Sequence, residues 1–253
     1  MTRARRERRP PSAFAGARPV RAVLVEAAVD SVESARAAAR VGADRLELCA
    51  RLDQEGLTPD TELLAEIGRL SIPAFVMIRP RPGDFHYSET EAAVMLRAIA
   101  AARVAGAAGI VTGALTRSGS IDRGLVARLV EVAAPLPVTF HRAFDLVPEQ
   151  RPALAELGGI GVRRVLTSGG QSTAFLGRET IRALVSAAPP GLTIVAGGGV
   201  VADVVERLLE ATGVDELHLA AVRFDPAATA TGAAPRSRPD PERLRAVLQR
   251  LGR

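Results

Sequence analysis

Residues 23–49, VLVEAAVDSVESARAAARVGADRLELC, decide the fold. The apolar run Val23–Val29 reads as a strand. A helical spacing of Ala, Arg and Glu begins near Ser31, and Gly42 stands where a left-handed cap falls. A second strand candidate, Arg45–Cys49, follows at once. Strand, helix and strand in 27 residues make one parallel βαβ unit.

The same pattern recurs along the chain. Further strand candidates are Ala74–Ile78, Gly109–Thr112, Val138–Phe140, Arg164–Leu166, Thr193–Ala196 and Glu216–Leu219. Helices are expected from near Thr61, Glu89, Asp122, Gln150, Phe175 and Ala202, and over Pro241–Leu251. Gly106 also marks a helix end, while Pro73 and Pro137 each stand just before a strand. Eight strands alternating with eight helices predict a single-domain α/β protein, a (β/α)8 TIM barrel over 21–253. An open doubly wound sheet is the alternative. At 253 residues and 47% hydrophobic, the chain can bury a sizeable core, which excludes disorder throughout.

Parity along the strands selects the polar candidates. Barrel strands turn apolar residues outward to helices and admit polar ones inward, above all near the C-terminal mouth. On that rule Glu26, Asp30, Glu47, Arg79, His141 and His218 converge on the interior or the mouth. For Glu26 and Glu47 two readings stand: an interior network paired by Arg79, or an active site. Arg79 and His141 fall at strand ends, which favours function. The catalytic candidates are therefore Glu26, Asp30, Glu47, Arg79 and His141. Arg79 and Arg81 sit on a proline-stiffened loop that suits a carboxylate or phosphate, unless Asp84 or Glu47 neutralises them. Thr167-Ser168-Gly169 follows the sixth strand and Gly197-Gly198-Gly199 the seventh, where barrels often hold anions. Arg81, Asp84, Thr167, Ser168, Gly169, Gly197, Gly198, Gly199 and His218 are the ligand-binding candidates. Residues 225–240 are small, polar and proline-rich, and read as a mobile loop.

Composition narrows the chemistry. There is no Lys, so a Schiff-base mechanism is excluded. One cysteine, Cys49, allows neither an internal disulfide nor a multi-thiolate site within one chain, and no metal-ligand motif is found. No cofactor motif is present. Of 33 basic and 28 acidic residues, positions 1–20 hold six Arg and one Glu, leaving 27 of each sign beyond. The folded part is neutral, which argues against a nucleic-acid partner, and the basic stretch 1–20 reads as a disordered tail. No apolar run suits a membrane helix and no signal peptide is visible, so a cytoplasmic location is expected.

At these same segments the chain resembles the CutC family. The resemblance rests on Gly42-Ala43-Asp44-Arg45-Leu46-Glu47-Leu48-Cys49, Gly56-Leu57-Thr58-Pro59, Met77-Ile78-Arg79-Pro80-Arg81, Pro137-Val138-Thr139-Phe140-His141-Arg142-Ala143-Phe144-Asp145 and Gly197-Gly198-Gly199-Val200, in that order. It implies a (β/α)8 barrel, a homodimer or homotetramer, and copper homeostasis with Cu(I) as the bound metal. Many members carry Cys where this chain has Ala27-Ala28, and some where it has Phe85-His86-Tyr87. A polar mouth with lost thiols fits an enzyme on a small anion better than a copper carrier. The alternative function is thus a lyase or isomerase, without a Schiff base, for a small phosphorylated or carboxylated metabolite.

Overall fold

The structure is a computed structural model that describes residues 23–224 and 237–253. The expected tail, 1–20, and positions 225–236 of the expected loop lie outside the described residues. Eight parallel strands close into a barrel: β1 Leu24–Val29, β2 Arg45–Leu48, β3 Ala74–Met77, β4 Gly109–Thr112, β5 Val138–Phe140, β6 Arg164–Thr167, β7 Thr193–Gly197 and β8 Glu216–Ala220. Around it, among the described residues, run α1 Val32–Val41, α2 Thr61–Ala65, α3 Glu89–Val104, α4 Arg123–Ala133, α5 Gln150–Ile160, α6 Arg178–Ala187, α7 Ala202–Thr212 and α8 Pro241–Arg250. A short antiparallel pair, β9 Val222–Phe224 with β10 Ser237–Pro239, sits at the rim. No described helix is long and apolar enough to cross a membrane.

Local chemistry sets the element ends. Ser31 caps α1 in a reciprocal capping box with Ser34, and Gly42 ends it at φ 108°, a conformation that disfavours any side chain with a Cβ. The observed strands start and stop within one residue of the expected ones. One helix start moves: α6 begins at Arg178, not near Phe175. A Cβ on Gly177 would lie 1.9 Å from the Ser168 carbonyl oxygen. That close backbone approach fixes the chain ahead of the helix and delays its first turn.

The strand register places charge inside the barrel. Glu26 on β1 stands beside Arg45 on β2 and His218 on β8, and Ala28 beside Glu47. Near the N-terminal ends of the strands, Arg45 donates to Glu26 at 2.5 Å and to Glu216 at 2.6 Å, and Arg164 meets Glu216 at 3.2 Å. Both guanidinium groups also lie near the Phe75 ring, at 4.7 Å for Arg45 and 5.1 Å for Arg164. The interior network foreseen for Glu26 therefore exists, but Arg45 makes it. Arg79 lies one strand further round and forms no ion pair with either glutamate among the described residues.

Arg45 is 3% exposed and neutralises carboxylates from two strands. Removing one partner of a buried ion pair costs about 3–5 kcal/mol. Arg45→Met is expected to lose stability in that range in urea unfolding monitored by circular dichroism. A loss below about 1 kcal/mol would show that the network does not hold the barrel floor.

Candidate functional site

A cavity of about 210 Å³ opens at the C-terminal ends of the strands. Its walls include Glu47 from β2, Arg79 and Phe85 after β3, His141 and Arg142 after β5, and His218 from β8. Gly198, Gly199 and Arg243 complete the rim.

His141 is 4% exposed. Its Nδ1 accepts the Ala143 backbone N–H at 3.2 Å, which leaves the ring proton of the neutral imidazole on Nε2. That Nε2 is buried and has no hydrogen-bond partner among the described residues. Burial, then the positive charge of Arg79, lowers its pKa from 6.5 to about 3. The ring packs against Phe85 at 4.9 Å. Gly113 makes room for it, because a Cβ there would sit 2.5 Å from His141 Cε1. Asp145, a possible orienting carboxylate, binds elsewhere.

Arg79 is held chiefly by backbone oxygens. Nη1 donates to the carbonyls of Gln54 at 2.7 Å and Gly56 at 3.1 Å, and Nη2 to that of Gly83 at 3.1 Å. Its guanidinium lies 4.9 Å over the Phe85 ring, and its buried Nε has no hydrogen-bond partner among the described residues. Three carbonyls fix the fork while leaving a whole positive charge beside the cavity.

The opposite wall carries carboxylates. His218 Nδ1 meets Glu26 Oε1 at 2.7 Å, and its Nε2 lies 3.7 Å from Glu47 Oε2. Cys49 points its thiol at Glu47 Oε2, 3.4 Å away. Burial acts to raise the Glu26 pKa, but the His218 hydrogen bond and Arg45 outweigh it and lower it to about 2. Burial raises the Glu47 pKa. For His218, burial acts downward, and the charge of Glu47 together with the hydrogen bond and charge of Glu26 outweighs it, for a net rise. Burial and Glu47 push the Cys49 thiol well above its usual value, so it stays protonated.

Other sequence candidates lie outside this cavity. Asp30 accepts from Ser237 Oγ at 2.6 Å on the rim strand β10. Arg81 is committed to Glu91, to Asp84 and to the carbonyls of Asp84 and His86. Its partners are three to ten residues away in sequence, so it braces its own loop, and Asp84 is exposed. Thr167 and Ser168, with Gly170 in place of Gly169, surround an anion, and this chain supplies it. The Asp145 carboxylate accepts Thr167 Oγ1 at 2.5 Å, Ser168 N at 3.0 Å and Gly170 N at 3.1 Å, with Arg142 Nε at 2.9 Å. Gly169 N turns back to Thr167 Oγ1. Gly197 packs against His218 and Leu166, whereas Gly198 and Gly199 line the cavity.

Among the lining residues that were not candidates are Phe85, Arg142 and Arg243, and one carboxylate, Glu55. Phe85 and Arg142 lie inside the stretches that drew attention, and their neighbours took it. Arg243 stands at the third position of α8, whose N-cap Asp240 accepts its backbone N–H at 3.2 Å. The signal available was its place at the start of the helix after the eighth strand, on the face where barrels bind ligands.

The fold and this mouth define a (β/α)8 barrel with a buried polar pocket at the C-terminal strand ends, the usual place for a barrel's active site. A profile of the CutC family matches residues 23–223, and the chain belongs to that family. The copper homeostasis protein cutC homolog of Homo sapiens is 46% identical over 218 residues, covering 86% of this chain and 79% of that one. A CutC family protein of Histophilus somni is 44% identical, covering 79% of this chain and 83% of its own. Among solved structures, a CutC protein of Streptococcus agalactiae superimposes with a TM-score of 0.74 at 30% identity, covering 78% of this chain and 97% of that chain. The thiamine phosphate pyrophosphorylase of Pyrococcus furiosus shares the fold alone, at 16% identity and a TM-score of 0.58 over 92% of this chain and 97% of its own.

The depressed pKa of His141 gives the site a signature in stability. Unfolded, this histidine takes a proton as pH falls through 6.5; folded, it does so only near 3. Stability that is complete above pH 6.5 is therefore lost progressively down to about 3. In His141→Gln that share of the loss disappears. Urea unfolding between about pH 7.5 and 4.5 should show a shallower decline for the variant than for the parent. Parallel profiles would mean that His141 is not held neutral.

Proposed function

We propose that this CutC-family barrel serves copper homeostasis, the role for which its human relative is named, as an enzyme acting on a small carboxylate and not as a thiolate carrier. The observation that carries this reading is His141: a buried neutral imidazole whose Nε2 proton has no partner, beside an arginine with no carboxylate partner among the described residues. An unsatisfied buried donor costs about 1–3 kcal/mol, so such a group is retained where a ligand completes it. A neutral imidazole N–H and a guanidinium together stabilise negative charge growing on a substrate oxygen. That suits lyase or isomerase chemistry through an enolate, and with no lysine in the chain no imine forms.

The ligand class follows from what is already filled. The loop donors after β6 that could take a phosphate hold Asp145 instead. A cavity of about 210 Å³ lies below the usual range for drug-sized ligands, about 300–1,000 Å³, and fits a few-carbon acid. Arg243 on the rim supplies further positive charge, whereas Arg142 is paired with Asp145, and Glu55 places a carboxylate among the lining residues.

Copper as a directly bound cargo is the second reading, favoured by one contact. Cys49 Sγ and Met77 Cε lie 3.1 Å and 3.5 Å from where a Gly56 Cβ would stand, so the thiol and the methionine border one spot. Cu(I) prefers thiolate and thioether ligands. Against it, the thiol is held protonated beside Glu47 and the chain has no second cysteine.

A thermal-shift and calorimetry panel separates the readings. Small mono- and dicarboxylates should raise Tm in a saturable way, inorganic phosphate should not, and Arg243→Gln should weaken carboxylate binding about tenfold. Stoichiometric Cu(I) binding that Cys49→Ala abolishes, with no response to any carboxylate, would replace this reading by the second.

A further inference from the structure

The carboxylate-bearing wall of the cavity has its own geometry. Glu26, Glu47 and His218 each offer a donor atom, and these atoms lie within 4.8 Å of one another. Glu26 is fully engaged, with Oε1 on His218 Nδ1 and Oε2 on Arg45. That leaves His218 Nε2 and the Glu47 carboxylate facing each other across 3.7 Å. The gap is too long for a hydrogen bond. It is close to the separation, about 3.4 Å, of two atoms that share one tetrahedral cation at about 2.0–2.2 Å.

Two further facts point to a ligand in that gap. Glu47 is 2% exposed, yet its Oε1 has no hydrogen-bond partner among the described residues. The only ion-pair contact of Glu47 among the described residues is the His218 ring. Both residues line the open cavity, so water and substrate atoms can fill further coordination positions. Behind the imidazole, Glu26 supplies the carboxylate that metal-bound histidines commonly hydrogen-bond through their other nitrogen.

We propose that Glu47 and His218 form a binding site for one divalent transition cation of the zinc type, with Glu26 as the positioning residue behind His218. Imidazole nitrogen with carboxylate oxygen is a borderline donor set that suits Zn2+ and Co2+, not the soft set that selects Cu(I). The site is open, with protein ligands on one side and the cavity on the other, as catalytic metal sites are. It stands independently of the carboxylate reading, since it uses neither Arg79 nor His141.

The test titrates the full chain, stripped with chelator, with Zn2+ and with Co2+ alone. One equivalent per chain is expected to bind, with affinity falling at least 100-fold in both Glu47→Gln and His218→Gln and unchanged in Cys49→Ser. Should either variant fail to fold, X-ray absorption on the zinc-loaded parent decides: a first shell of nitrogen and oxygen supports the site, and sulfur in that shell overturns it. Non-saturable binding, or binding by both folded variants equal to the parent's, also overturns it.

Discussion

Glu26 is the constraint on which the rest of the barrel depends. A carboxylate buried to 1% exposure at the centre of a barrel costs several kcal/mol unless its charge is met. Arg45 meets it from one side and His218 from the other. The first pairing ties Glu26 to Glu216 and Arg164 at the floor, and the second ties it to Glu47 at the mouth. Floor and mouth are therefore one connected arrangement, with both floor cations packed against the Phe75 ring.

The mouth then divides into two walls of opposite character. On one, His141 presents an Nε2–H without a partner among the described residues and Arg79 a charge that no described carboxylate meets, and the positive charge of the second helps keep the first neutral. On the other, Glu47 and His218 present acceptors. Asp145 belongs to neither. By filling the loop after β6 it locks Arg142 in place, through Nε to its own carboxylate and Nη2 to Ser168 Oγ at 3.0 Å. A group that looks like part of an anion receptor in the sequence is, in the fold, the clamp that sets the receptor's rim.

Much of this was legible in the sequence, and the boundary has a physical cause. Strand alternation has a period of two, so parity alone placed Glu26, Glu47, Arg79, His141 and His218 on the inward side. Which of them touch depends on the stagger between neighbouring strands as the barrel closes, and no single strand encodes that. Hence Arg45, not Arg79, is the partner of Glu26. Asp30 had the right parity but sits past the strand end, where β10 captures it. Arg81 was misplaced for a different reason: its partners lie on its own loop and the start of α3, and a local brace resembles a ligand site when only residue types are read. Asp145, in the segment after β5, and Arg243, at the start of α8, lie outside the strands, so strand alternation says nothing about them.

The empty space at Gly113 has a meaning for sequence change. His141 occupies the volume that any side chain at that position on the neighbouring strand would need. The two residues are thus a single inherited unit, one defined by what it lacks. Even an alanine at 113, the mildest exchange in ordinary scoring, would displace the imidazole from its seat. A lineage could abandon the imidazole and then let position 113 drift, but not in the reverse order.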